Sequence, residues 1–175
     1  MKLLKDLLYR TRIEQVVGST NAAIEHITFD SRAVVPLTAF VAVKGTRSDG
    51  HAFIPQAIVQ GASAIICEQL PEELKEDETY VRVNDTQHAL AIMAGNFHDH
   101  PSRSLTLVGI TGTNGKTSVA SLLYRLYRSL GFKCGLLSTV EIRIGNRTIP
   151  STHTTPDAVR INELLAKMVA EKVTH

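Results

Sequence analysis

The sequence predicts an α/β protein: a small N-terminal α/β domain, then the first part of a phosphate-loop domain built on a parallel sheet. Three observations predict it. Short apolar runs alternate with helical stretches along the chain, as when strands lie under helices. Leu105, Leu107, Val108 and Ile110 form a near-continuous apolar segment, as in a strand buried on both faces, which runs into the glycine-bounded loop Gly112-Thr113-Asn114-Gly115-Lys116-Thr117. Beyond the loop, Val119, Leu122, Leu123, Leu126 and Leu130 recur at helical spacing, and Gly131 follows as a C-terminal cap.

In chain order, the first eight residues mix Lys2, Lys5 and Asp6 among leucines and predict a short amphipathic helix, not a signal peptide. Strands are predicted over 24–29, 39–43, 64–67 and 80–83, and helices over 52–60 and 86–97. His98-Asp99-His100-Pro101-Ser102 closes the second helix and is read as the link between domains 1–100 and 101–175. Its His-x-His supplies half a metal site with nothing nearby to complete it, so it reads as a solvated helix end. After the loop helix come a strand over 133–137 and a hairpin-like pair, 140–144 and 147–149, joined through Gly145-Asn146. A last helix runs from Pro156 to about Lys172, with Thr154 or Thr155 as its N-cap. Phosphate-loop domains carry more strands than this, one of them ending in an acidic Mg²⁺ ligand. None is seen before His175, so the second domain is expected to be incomplete.

Composition narrows the class. The chain has 175 residues, 43% hydrophobic and 21% charged, enough for a core, and its net charge of +2 points to neither nucleic acid nor an anionic membrane. No apolar run approaches the ~20 residues that span a bilayer. Cys67 and Cys134 stand alone without a C-x-x-C and read as buried thiols of a reducing cytosol.

The loop has a chemical logic. Backbone N–H groups must curl around phosphate oxygens, so the glycines keep Cβ atoms away. Lys116 then neutralises charge near the β/γ-phosphates, and the Thr117 hydroxyl can ligate Mg²⁺. The usual G-x-x-x-x-G-K-[S/T] spacing is not met, because its first glycine would fall at Ile110. No G-x-G-x-x-G is present either, so a dinucleotide fold gains nothing. A switch or motor NTPase would need an acidic Mg²⁺ strand and a water-positioning motif, and neither is visible.

The string Thr111-Gly112-Thr113-Asn114-Gly115-Lys116-Thr117 resembles the ATP loop of the Mur ligase family, cytoplasmic enzymes of bacterial cell-wall synthesis. Three N-terminal stretches are similar to the UDP-binding domain of its members adding the third residue or the terminal dipeptide: Thr28-Phe29-Asp30-Ser31-Arg32, then 39–45, then Asp49-Gly50-His51 with Phe53-Ile54 and Gly61-Ala62. Thr152-His153-Thr154-Thr155-Pro156-Asp157 resembles a segment of the third-residue-adding members and separates them from the dipeptide-adding ones.

The resemblance implies an ATP-dependent amide ligase of peptidoglycan precursor synthesis. Its substrates would be UDP-N-acetylmuramoyl-L-alanyl-D-glutamate and a diamino acid, with Mg²⁺ and without nucleic acid, membrane or obligate protein partner. Gly112 through Ser118 would cradle ATP, with Lys116 catalytic and Thr117 on the metal. Phe29 and Ser31 would contact the uridine, Thr46, Arg47 and Ser48 would close over the nucleotide and pyrophosphate, and His153, Thr154 and Thr155 would hold the muramyl-dipeptide. The further Mg²⁺ ligands, a carbamylated lysine and the amino-acid-selecting domain would lie beyond His175. The chain by itself is therefore expected to bind but turn over poorly, as a non-catalytic nucleotide-binding module would. Plainer alternatives exist for two motifs. Asp30-Ser31-Arg32 has a plainer alternative as a capped turn with a surface ion pair. His51 reads as a helix-start residue, with no nucleophile beside it to activate.

Overall fold

Strands buried on both faces cannot alternate apolar with polar residues, and the central ones here do not: Thr38-Ala39-Phe40-Val41 is buried throughout. The computed structural model describes residues 1–45, 48–145, 147–150 and 156–175. It divides into two units, Met1–Phe97 and His98–His175.

The first unit runs β1 (Lys2–Leu3), α1 (Leu4–Leu7), β2 (Ile13–Val17), β3 (Ala23–Ile24), β4 (His26–Thr28), β5 (Thr38–Val41), α2 (Ile54–Val59), β6 (Ala62–Cys67), β7 (Thr79–Val83) and α3 (Thr86–Phe97). Its main sheet has five strands in the order β2-β7-β6-β5-β4. The last four are parallel, and β2 closes one edge antiparallel to β7. Phe40, Ile65, Tyr80, Ile54 and Ala57 pack into one core cluster on this sheet. Each large side chain fully buried there contributes about 1.5–3 kcal/mol. Asn96, buried on α3, donates its side-chain amide to the carbonyls of Leu7 and Tyr9, both at 2.7 Å, and so satisfies the end of the single-turn α1.

The second unit holds α4 (Lys116–Ser129), β8 (Gly135–Leu137), β9 (Glu141–Ile144), β10 (Arg147–Pro150) and α5 (Ala158–Ala170). Among the described residues β10-β9-β8 is an antiparallel sheet, covered by Leu164, Leu165 and Met168 of α5.

Several expectations are corrected. The apolar segment 105–110 is not a strand: Leu107 and Val108 are 54% and 53% exposed. An extended segment becomes a strand only when neighbours pair its backbone along its length, whereas here Thr106 N–H donates to Thr174 O without a ladder forming among the described residues. The parallel pairing expected in the second unit is thus not made among the described residues. The first eight residues form β1 and α1, because Lys2 and Leu3 pair with Ile24 and Ala23. The run 24–29 divides into β3 and β4, which belong to different sheets. Asp157 caps α5, its carboxylate accepting from Arg160 N–H at 2.9 Å, while Thr154 and Thr155, expected in that role, lie outside the described residues. β2 went unread because its residues are mostly exposed and only one flank is paired.

Candidate functional site

Two groups of residues carry chemistry, one in each unit. In the first unit, four parallel strands end on one rim, and polar residues follow each of them. This carboxyl rim is where ligands bind in α/β sheets. Phe29 and Ser31 follow β4. The Asp30 carboxylate accepts from Arg32 N–H at 3.0 Å and pairs with its guanidinium at 2.7 Å, while Thr28 Oγ1 accepts from Asp30 N–H at 3.1 Å. Asp30 and Arg32 are therefore the capped turn with a surface ion pair. Arg32 holds the Asp30 carboxyl below its usual range. Ser31 points inward, 7% exposed, and its hydroxyl donates to Gln56 Oε1 at 3.2 Å. Phe29 remains 40% exposed beside it in sequence, an aromatic face open to a ligand.

The loop after β5 carries Ser48, which is exposed and whose carbonyl accepts from Gly45 N–H at 3.0 Å. Thr46 and Arg47 lie outside the described residues, as do His153, Thr154 and Thr155.

In the second unit, the loop glycines have the backbone the sequence requires. Gly112 has φ 148° and Gly115 has φ 79°, the left-handed region where a Cβ would be strained. Gly115 is the N-cap of the 14-residue α4 and brings no side-chain acceptor to it. The first amides of the helix thus face the loop as donors, with the positive end of the helix dipole behind them. Thr113, Asn114, Lys116 and Ser118 are exposed. Lys116 Nζ folds back onto the carbonyls of Gly112 and Thr113. Thr117 Oγ1 lies 3.1 Å from Thr139 Oγ1, which follows β8.

These residues fit a Mg²⁺-nucleotide: two glycines without Cβ obstruction, one exposed cation, and a hydroxyl that can give its proton to a neighbour while offering a lone pair to a metal. A cavity of about 410 Å³ reaches Lys116 and Thr117, but its walls are mostly apolar (Leu105, Leu107, Leu123, Leu136 and Leu165 among them). Its Leu107 and Val108 walls are half exposed, so the cavity opens to solvent. Among the described residues no cluster of His, Cys, Asp or Glu could hold a metal by itself.

Gln56, Glu68 and Thr139 are partners that sequence reasoning missed. Glu68 and Thr139 are polar residues at or just beyond the end of a strand, the signal that could have found them.

The Mur ligase family, catalytic domain, matches residues 23–98, and the Mur ligase middle domain matches residues 110–175. The chain belongs to the Mur ligase family. A relative in the Mur ligase family from Cytophaga hutchinsonii, UDP-N-acetylmuramoyl-L-alanyl-D-glutamate--2,6-diaminopimelate ligase, is 51% identical over 173 residues, 98% of this chain and 36% of that protein. The ligase of the same name from Phocaeicola vulgatus is 46% identical over 98% of this chain and 35% of that protein. The chain therefore spans little more than a third of the length of these relatives. A solved structure of a UDP-N-acetylmuramoyl-L-alanyl-D-glutamate--2,6-diaminopimelate ligase shares the fold, with a TM-score of 0.78 over 99% of this chain and 34% of that one at 21% identity. The MurF ligase of Thermotoga maritima in complex with ADP is 34% identical, covering 66% of this chain and 25% of that one, with a TM-score of 0.50.

Proposed function

We propose that this chain is the precursor-binding domain and the start of the ATP-binding domain of a cytoplasmic ligase that adds 2,6-diaminopimelate to UDP-N-acetylmuramoyl-L-alanyl-D-glutamate. The observation that carries this is the likeness, over nearly the whole chain, to relatives named for that reaction. Residues 1–100 would hold the UDP-linked precursor, and residues 101–175 would open the nucleotide domain.

In the first, Phe29 offers a ring face to the uridine and Ser31 a hydroxyl. The loop carrying Thr46, Arg47 and Ser48 closes over the diphosphate, for which a guanidinium is a charge-assisted donor. His153, Thr154 and Thr155 would hold the dipeptide end. In the second, residues 112–118 surround the triphosphate, Lys116 neutralises its terminal charge, and Thr117 supplies a metal ligand. Bound Mg²⁺ would add charge neutralisation at the phosphates.

The reaction is amide formation in two steps. The γ-phosphoryl group of ATP passes to a D-glutamate carboxylate oxygen, releasing ADP and giving an acyl phosphate. The diamino acid's amine then attacks the carbonyl carbon, inorganic phosphate leaves, and the nitrogen loses a proton. A carboxylate repels nucleophiles and has no good leaving group, and phosphorylation removes both obstacles. What remains for the protein is positioning and charge neutralisation.

Calorimetric titration of the 175-residue chain with UDP-N-acetylmuramoyl-L-alanyl-D-glutamate, and separately with Mg²⁺-ATP, tests the proposal. Saturable precursor binding weakened by Ser31→Ala is expected. A folded chain that binds nucleotide but no precursor would remove the muramyl ligase reading. Phosphate release with all three substrates should be negligible, and sustained turnover would refute the view that essential parts lie elsewhere in the relatives' length.

A further inference from the structure

We propose that Asp49, Gly50 and His51 form a clamp fixing the base of the 44–49 loop, with His51 as a positioning residue held in its neutral Nδ1–H form. The proposal rests on the reading of that loop as a contact for the diphosphate of a UDP-linked precursor.

The loop leaves β5 and is tied at its base by three backbone contacts. Lys44 and Asp49 face each other across an antiparallel bridge. Gly50 N–H donates to Val43 O at 2.9 Å, and Gly45 N–H to Ser48 O at 3.0 Å. A Cβ on Gly50 would stand 2.6 Å from Val43 N and 2.7 Å from Val43 O, both backbone atoms that cannot swing aside. Only glycine lets the base close.

His51 then locks the closed base to the sheet. Asp49 Oδ1 takes His51 N–H at 3.0 Å and lies 2.6 Å from ring Nδ1. An ionised carboxylate only accepts, so Nδ1 carries the proton. Nε2, on the other side of the ring, takes the backbone N–H of Glu68 at 2.9 Å and that of Gln69 at 3.4 Å, so Nε2 is an acceptor without a proton. Glu68 is itself anchored: its carboxylate accepts from Thr86 N–H at 3.0 Å and from the Thr86 hydroxyl at 2.9 Å, at the start of α3. The ring is 17% exposed, against 48% for the Asp49 side chain.

An Asp–His pair with one nitrogen on a carboxylate resembles the orienting half of a catalytic triad. Here Nε2 is occupied by main-chain amides, so the ring has no nitrogen left to take a substrate proton. Its effect is mechanical. By holding the base of the loop, the clamp fixes Lys44, Gly45 and Ser48 before ligand arrives, and binding need not meet that entropic cost.

The test is made on the isotopically labelled 175-residue chain. Long-range proton–nitrogen spectra should show His51 as the neutral Nδ1–H tautomer, and the Glu68 amide should be protected from exchange. An Nε2–H tautomer in the wild-type chain would overturn the clamp. His51→Ala, judged folded by circular dichroism, should weaken binding of the UDP-muramyl-dipeptide about tenfold. His51→Gln, whose amide can donate to Asp49 and accept from Glu68, should recover most of that loss. A folded His51→Ala chain with unchanged affinity refutes the positioning role while leaving the precursor reading intact. Should His51→Ala not fold, the wild-type tautomer and the affinity of His51→Gln decide. A wild-type chain that binds no precursor at all removes both.

Discussion

The ammonium group of Lys116 donates to the carbonyl oxygen of Gly112, four residues back in its own loop. The cation thus sits on the loop it would leave when a triphosphate arrives. Charge-assisted hydrogen bonds contribute about 1.5–3 kcal/mol. Lys116→Ala is therefore expected to weaken Mg²⁺-ATP binding by roughly ten- to 150-fold in calorimetry. Precursor binding by the first unit should be unaffected, and a parallel loss there would show misfolding instead.

Neither cysteine should react in the native chain. Burial pushes the Cys67 thiol up to about 11, and burial also raises Cys134. A raised folded value favours the protonated thiol: the stabilisation is fully present below the unfolded value and lost as pH rises through the folded one. At pH 8 the thiolate fraction of Cys67 should be lower than that of an exposed cysteine by roughly a hundredfold. Alkylation followed by mass spectrometry should find both thiols slow in buffer and fast in denaturant. Rapid modification of Cys67 in the folded chain would contradict its burial.

Asn96→Ala removes the donor that satisfies the carbonyls of Leu7 and Tyr9. Buried acceptors left without partners cost about 1–3 kcal/mol. Urea unfolding followed by circular dichroism should show that loss at unchanged slope. A near-zero effect would mean that water reaches the end of α1.

The Asp30 carboxyl, held below its ordinary value by Arg32, gives a pH dependence of known sign. Its contribution is present above the unfolded carboxylate value and is lost as pH falls through the lower folded one. The Arg32 amide resonance, bonded to Asp30 Oδ1, should therefore titrate with a midpoint below 3.8. High salt should move that midpoint upward, because the pair is exposed and screened.

Elements were legible where local residues decide them. Phe40 and Ile65 lie in strands buried on both faces, so their segments read as unbroken apolar runs. Gly112 and Gly115 were legible because positive φ selects a residue type. Leu107 and Val108 misled because a strand is defined by its partners, which sequence does not display. Glu25 sits where the chain passes from one sheet to another, and no local pattern marks that change. At the candidate sites, Ser31 could be read but its partner Gln56, 25 residues on, could not. The same holds for Thr117 and Thr139, 22 residues apart, and for His51 and Glu68, 17 apart.

The strand order of the first unit also bears on how such a chain is made. Every strand of the five-stranded sheet lies between Ile13 and Val83. During synthesis that sheet can close, with its rim and loop base in place, before residues 112–118 leave the ribosome. Leu107 and Val108 come later and are half exposed. The nascent protein would therefore complete the rim carrying Phe29 and Ser31 first, and expose Leu107 and Val108 only afterwards.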